Sequence, residues 1–142
     1  KVVAAERFGT NNRENAVSLV PEAESTVSTS LYYQMYPGAG PAAVGSETWL
    51  RNVAQKKEDS RIADGLSDYK NVPSSFEFKE IGGHPAMSYF AVYNDGDQVR
   101  IDYFVRILGQ KGYVMLTTRG FLDDVRPIMP QVAQMAATVK VP

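Results

Sequence analysis

The stretch that decides the fold is residues 76–119, FEFKEIGGHPAMSYFAVYNDGDQVRIDYFVRILGQKGYVMLTTR. Three glycine-bearing turns punctuate it: Gly82-Gly83, Asn94-Asp95-Gly96-Asp97 and Gly109-Gln110-Lys111-Gly112. Between them, β-branched and aromatic residues recur with a period of two, which is the strand pattern. Asp-Gly between two alternating runs is a strong hairpin signal. The reading is an antiparallel meander with strands over residues 76–81, 85–93, 98–108 and 113–119.

Turn geometry sets the pairing. With Asp95-Gly96 as a two-residue turn, Phe90 faces Ile101, Val92 faces Val99 and Ala86 faces Val105. With Gln110-Lys111 as the next turn, Val105 faces Leu116 and Ile107 faces Val114. These residues form one apolar face, expected to pack on a C-terminal helix. The other face is mixed: Met87 beside Phe104 and Thr117, Tyr89 beside Asp102 and Arg119, Ala91 beside Arg100, with Arg106 and Met115 adjacent. One dry side and one amphipathic side is the signature of such a sheet. Two readings of the mixed face stand. It is a binding surface, since aromatics and arginines are enriched at interface hot spots, or a helix around Trp49 covers part of it as a third layer.

Working outward, residues 1–15 read as an edge strand followed by the polar run Gly9-Thr10-Asn11-Asn12-Arg13. Residues 16–20 form a short strand closed by Pro21, and residues 27–36 alternate well until Pro37-Gly38-Ala39-Gly40-Pro41 breaks them. Ser46 is placed as an N-cap, with Glu47 in the first turn and Trp49, Leu50, Val53 and Ala54 at helical spacing. That predicts an amphipathic helix over residues 46–57. Residues 58–75 are polar, with Gly65 and Pro73, and read as a long connection holding at most one helical turn, a length that often carries function. Asp123-Asp124 serve as caps and dipole partners before a final helix over residues 127–139, with Pro127 and Pro130 in or near its first turn.

A chain of 142 residues with 44% hydrophobic and 22% charged content is an ordinary globular composition, long enough for one domain over 1–142 with its own core. Its net charge of −1 gives no electrostatic footprint for nucleic acid. Apolar runs are strand-length, so no transmembrane segment is expected. There is no cysteine, hence no disulfide framework or thiolate chemistry. The first residue is Lys1 and not methionine, which is read as a mature or trimmed product.

Motifs of chemistry are sparse. Gly38-Ala39-Gly40-Pro41-Ala42-Ala43 superficially fits a dinucleotide-binding turn. The next helix starts too late to cradle a pyrophosphate there, and two prolines bracket the turn. No Gly-Lys-Ser or Gly-Lys-Thr occurs, which excludes a P-loop. His84 is the sole histidine, so most metal sites and histidine-activated nucleophiles are excluded. Asp95-Gly96-Asp97 lacks the further ligands of a calcium loop. Asp59, Asp64 and Asp68 on the long connection could together bind a cation, for which a solvated loop is the simpler reading. No catalytic, metal or cofactor site is assigned, and no cofactor is expected.

The run Glu80-Ile81-Gly82-Gly83-His84-Pro85-Ala86, then a Tyr/Phe-rich strand, a glycine turn, a second strand, Gly112-Tyr113-Val114-Met115-Leu116-Thr117 and an amphipathic last helix, resembles the PsbP-like superfamily. That group includes photosystem II extrinsic proteins, a Ran-binding nuclear import factor and many bacterial periplasmic or lipid-anchored proteins. The resemblance covers residues 16–139 and rests on a turn and a strand order. The aromatic expected after a strand-ending proline is absent, since Glu22-Ala23-Glu24 follow Pro21. The resemblance implies an α+β fold, an antiparallel sheet flanked by helices in α/β/α-like layers, and a non-enzymatic, extracytoplasmic module.

The function expected is therefore a binding or accessory domain for an unidentified protein or small ligand, periplasmic, secreted or lipid-anchored. Its candidate partner-binding residues are Tyr89, Arg100, Asp102, Phe104, Arg106 and Arg119, with the 58–75 connection as an alternative surface. The rival is a small hydrolase or isomerase using Asp102, Tyr89 and Arg119, with His84 as a further candidate.

Overall fold

The computed structural model describes the backbone of residues 2–8 and 14–21 and all of residues 27–142. The expected polar run at residues 9–13 lies outside them. Eight strands form one sheet: β1 (Val2–Phe8), β2 (Glu14–Pro21), β3 (Ser28–Met35), β4 (Lys70–Asn71), β5 (Glu77–Ile81), β6 (His84–Asp95), β7 (Gln98–Leu108) and β8 (Gly112–Phe121). Their order is β1-β2-β3-β8-β7-β6-β4, with β5 also on β6, and every pairing is antiparallel. Helix α1 (Ser46–Ala63) packs on one face, and α2 (Leu122–Val125) and α3 (Met129–Ala137) serve the other. The fold is α+β in three layers.

The meander forms as its turn residues dictate, with one adjustment. Asp95 pairs with Gln98, so Gly96 and Asp97 are the central turn residues. Gly96 takes φ +62°, the left-handed conformation that tight hairpins require. The β6–β7 register is therefore displaced by two residues: Ala86 faces Ile107, Phe90 faces Tyr103 and Val92 faces Ile101. A displacement of two leaves every side chain on its expected face, because strands alternate with period two. The β7–β8 register is as expected, with Val105 on Leu116 and Ile107 on Val114.

The dry face buries Ala86, Ile101, Val105, Ile107, Val114 and Leu116 against Val125, Val132 and Ala136. Where β8 meets β3, a Cβ at Gly112 would collide with the Gln34 carbonyl and the Tyr33 ring, so only glycine permits that approach.

Four local expectations are corrected. Helix α1 continues to Ala63, so the first third of the expected 58–75 connection is helical. Its N-cap is Gly45, and Ser46 is the first helical residue without a capping bond. Asp123 and Asp124 sit inside the first turn of α2, as dipole partners, and Phe121 occupies the cap position. The last helix is split by a 3₁₀ turn at Arg126–Ile128, where Pro127 interrupts the regular bonding.

The outer edge of β6 is filled in two pieces. β4 pairs with Ala91 and Val92, and β5 with residues 84–88. Ser75 bridges the gap: its hydroxyl accepts from the Phe90 N–H at 3.1 Å and donates to the Val72 carbonyl at 2.6 Å.

Candidate functional site

The mixed face is covered. α1 lays Leu50 and Ala54 onto Met87, Tyr89, Ala91, Phe104, Leu108, Tyr113 and Met115. Of the six candidate partner-binding residues, Tyr89, Asp102, Phe104 and Arg106 are buried. An open docking surface built on those four is therefore corrected: in this fold their side chains cannot reach a macromolecule. Arg100 and Arg119 keep about a third or more of their side chains exposed, 33% and 40%. The cross-strand rows are Met87–Arg106–Met115, Tyr89–Phe104–Thr117 and Ala91–Asp102–Arg119.

What α1 covers is a polar–aromatic interior. Phe76, Tyr89 and Phe104 stack in series at 4.7 and 4.9 Å between centroids. The Arg106 guanidinium lies over the Tyr89 and Phe104 rings at 5.4 and 5.2 Å and donates to the Tyr89 hydroxyl at 2.8 Å. Aromatic faces attract a desolvated cation, which is how this interior tolerates a guanidinium that cannot lose its charge. Asp102 accepts a hydrogen bond from the Tyr69 hydroxyl at 2.9 Å. The Arg119 Nε lies 3.2 Å from the other Asp102 oxygen, an ion pair by distance in which the N–H is not aimed at the oxygen.

Burial pushes the Tyr69 hydroxyl well above the usual phenol range, and the Asp102 charge adds to it. Burial also raises Tyr89, against the opposing pull of Arg106. On α1, Lys57 is held below the usual ammonium range by burial and then by the charges of Arg119, Arg106 and Arg61. Tyr69 and Arg61 were not singled out from the sequence. Tyr69 is an aromatic in an otherwise polar run, which was the available signal.

A second feature is open. A cleft of about 450 Å³ lies between α1 and the β4 edge, lined by Arg51, Ala54, Gln55, Glu58, Lys70, Asn71, Pro73 and Phe76. Asn71 ties its walls together: its N–H donates to Glu58 at 2.6 Å and its side-chain amide to the Ala54 carbonyl at 3.1 Å. Arg51 sits 4.5 Å over the Phe78 ring at one end.

The remaining expectations separate in space. His84 opens β6 and is partly exposed, outside both features. Asp68 accepts from the Asn94 N–H, Asp59 from Gln55, and Asp64 ends α1. Among the described residues no group of three or more His, Cys, Asp or Glu side chains gathers to hold a metal. None of the described helices is long and apolar enough to cross a membrane.

The sequence matches no family model and no curated protein. Solved structures do match. The solution structure of cyanobacterial PsbP (CyanoP) from Synechocystis sp. PCC 6803 superposes with a TM-score of 0.73 at 13% identity, covering 99% of this chain and 82% of that one. The fold is PsbP-like. A crystal structure of PA94 from Pseudomonas aeruginosa, a protein of unknown function with a suggested regulatory role, superposes with a TM-score of 0.64 at 14% identity over 98% and 97% of the two chains. At such identities these likenesses establish the PsbP-like architecture and carry over no site residue.

Proposed function

We propose that this chain is a non-catalytic accessory or regulatory module, working outside the cytoplasm, that binds an extended polypeptide segment of a partner. The observation that carries the reading is the contrast between its polar groups and its open surface. Asp102 and Tyr89, which a hydrolase or isomerase would need at its substrate, are fully buried and bonded to Tyr69 and Arg106. The α1–β4 cleft is open instead, with Phe76, Pro73 and Ala54 as an apolar wall and Lys70, Gln55 and Arg51 as a polar rim. An apolar floor with a polar rim is the anatomy of a peptide-binding surface. The accessory and regulatory character draws on structural neighbours such as PsbP and PA94. Arg100 and Arg119, the two sequence candidates with exposed side chains, are proposed as secondary contacts.

A photo-reactive amino acid at Lys70, introduced in the source cells, tests the reading. It is expected to trap one discrete partner, and Gln55→Arg, which fills the cleft, to abolish the product. The same probe at exposed Val99 should trap none. Equal labelling from both positions would overturn the assignment to the cleft.

A further inference from the structure

At the C-terminal half of α1, Lys57 feels the charges of Arg61 on the helix and of Arg119, Arg106 and Asp102 on the sheet, while Arg106, Asp102 and Glu58 act on Tyr89 beneath it. Glu58 is already taken by the Asn71 N–H and the Gln55 amide. One Asp102 oxygen accepts from Tyr69, and the other, buried without a hydrogen bond, lies 3.2 Å from the Arg119 Nε as its ion-pair partner. The ion pairs among the described residues include neither Arg106 nor Lys57.

Donors are left over in the same place. The Nε–H groups of Arg106 and Arg119 and the Thr117 hydroxyl are buried without a hydrogen-bond partner. Arg106 and Thr117 are themselves 2% and 4% exposed. Thr117 is the cross-strand neighbour of Phe104, the residue on whose ring the Arg106 guanidinium rests. Arg119 lies two residues farther along β8 on the same face. Buried polar groups are ordinarily satisfied, and an unsatisfied cluster calls for a partner. A water would meet the hydrogen bonds and leave the excess positive charge.

The geometry points to a site for a small oxyanion of the phosphate or sulfate class. Its floor is the Arg106 Nε–H and the Thr117 hydroxyl, and its mouth lies between Lys57 and the partly exposed Arg119. A tetrahedral oxyanion presents several oxygens at once to donors arriving from α1, β7 and β8. It also supplies the missing negative charge, and Lys57, disfavoured as an ammonium first by burial and then by its cationic neighbours, gains a counter-charge. The site is separate from the α1–β4 cleft, and its test does not depend on a protein partner.

The test is thermal unfolding and equilibrium dialysis with inorganic phosphate, sulfate or glycerol phosphate, at ionic strength held constant with sodium chloride. A saturable rise in melting temperature that chloride does not reproduce is expected. Thr117→Val and Lys57→Gln should each weaken the affinity by about tenfold or more, a loss of about 1.4 kcal/mol. Thr117→Val should itself melt at or above the wild-type temperature, since it removes an unsatisfied hydroxyl. If it does not fold, Lys57→Gln at the mouth carries the comparison. A response to glycerol phosphate without one to inorganic phosphate supports the site and places the anion on a larger molecule. No saturable response to any of the three, or full affinity retained in the variants, would overturn the proposal.

Discussion

The two faces of the sheet solve the same burial problem with different chemistry. Toward α3, the interior is aliphatic: Ile101, Val105, Ile107, Val114 and Leu116 meet Val125, Val132 and Ala136. Toward α1, the same strands bury Arg106, Asp102 and Thr117 among Tyr89, Phe104 and Met115. The first face needs only apolar area, which is tolerant of exchange. The second depends on partners, because each buried polar group is satisfied by one particular neighbour or by none. Change on the first face should be graded, and on the second it should depend on which partner is removed.

The largest expected effect breaks the polar face. Phe104→Ala should destabilise by about 3–5 kcal/mol in urea titration, the range for truncating a buried ring. It also removes a ring under the Arg106 guanidinium. Ile107→Ala, on the aliphatic face of the same strand, should lose about 2–5 kcal/mol through cavity formation alone. If Phe104→Ala behaves like a surface substitution, α1 does not cover this face.

A smaller effect sharpens the contrast. Arg106→Met removes the donor to the Tyr89 hydroxyl and should cost about 1–3 kcal/mol. Adding Tyr89→Phe should recover most of that loss, because replacing both members of a buried polar pair with apolar groups is close to neutral. On the aliphatic face no second substitution repairs the first in this way. Additive losses in the Arg106 and Tyr89 double variant would sink the idea that the pair acts as a unit.

The smallest effect is read by pH. Burial pushes the Tyr36 hydroxyl up to about 12, aided by Tyr33 and Tyr113. The protonated phenol is the form favoured by folding, so its contribution is complete below the unfolded value near 10. It is lost as pH rises through about 12. Trp49, the sole tryptophan, lies 5.2 Å from Tyr36 edge-on, so its emission should be quenched when Tyr36 ionises. A quenching midpoint near 10 would show that the ring is solvated.

The meander was legible because turns and alternation are local. Gly96, Gly109 and Gly112 mark the reversals, and period two sorts the faces even when a register is displaced by a pair. What alternation does not encode is which face a distant helix covers. Arg106 and Asp102 between aromatics look like an exposed binding surface, and only the placement of α1 turns them inward. The second half of α1 escaped for a related reason. Lys57 and Arg61 stand where apolar residues would continue the stripe, their long stems covering the sheet beside their charged ends. Tyr69, which fixes Asp102, sits in a polar run whose spacing says nothing about a strand 33 residues away. The candidate site was therefore legible as a set of residues and not as an exposed or buried one.

Ser75, whose hydroxyl fills the gap between β4 and β5, also bears on what the sheet margin offers to other chains. A long uninterrupted strand at that margin would be a template on which other chains add and stack. Here the margin offers two short pieces separated by a turn, and the longer carries Glu77, Lys79 and Glu80. Its break in the ladder is closed from within, so no stranger's backbone is needed to complete it. The serine that tidies one strand's bonding thereby leaves a neighbouring copy only short, charged pieces of ladder to extend at this margin.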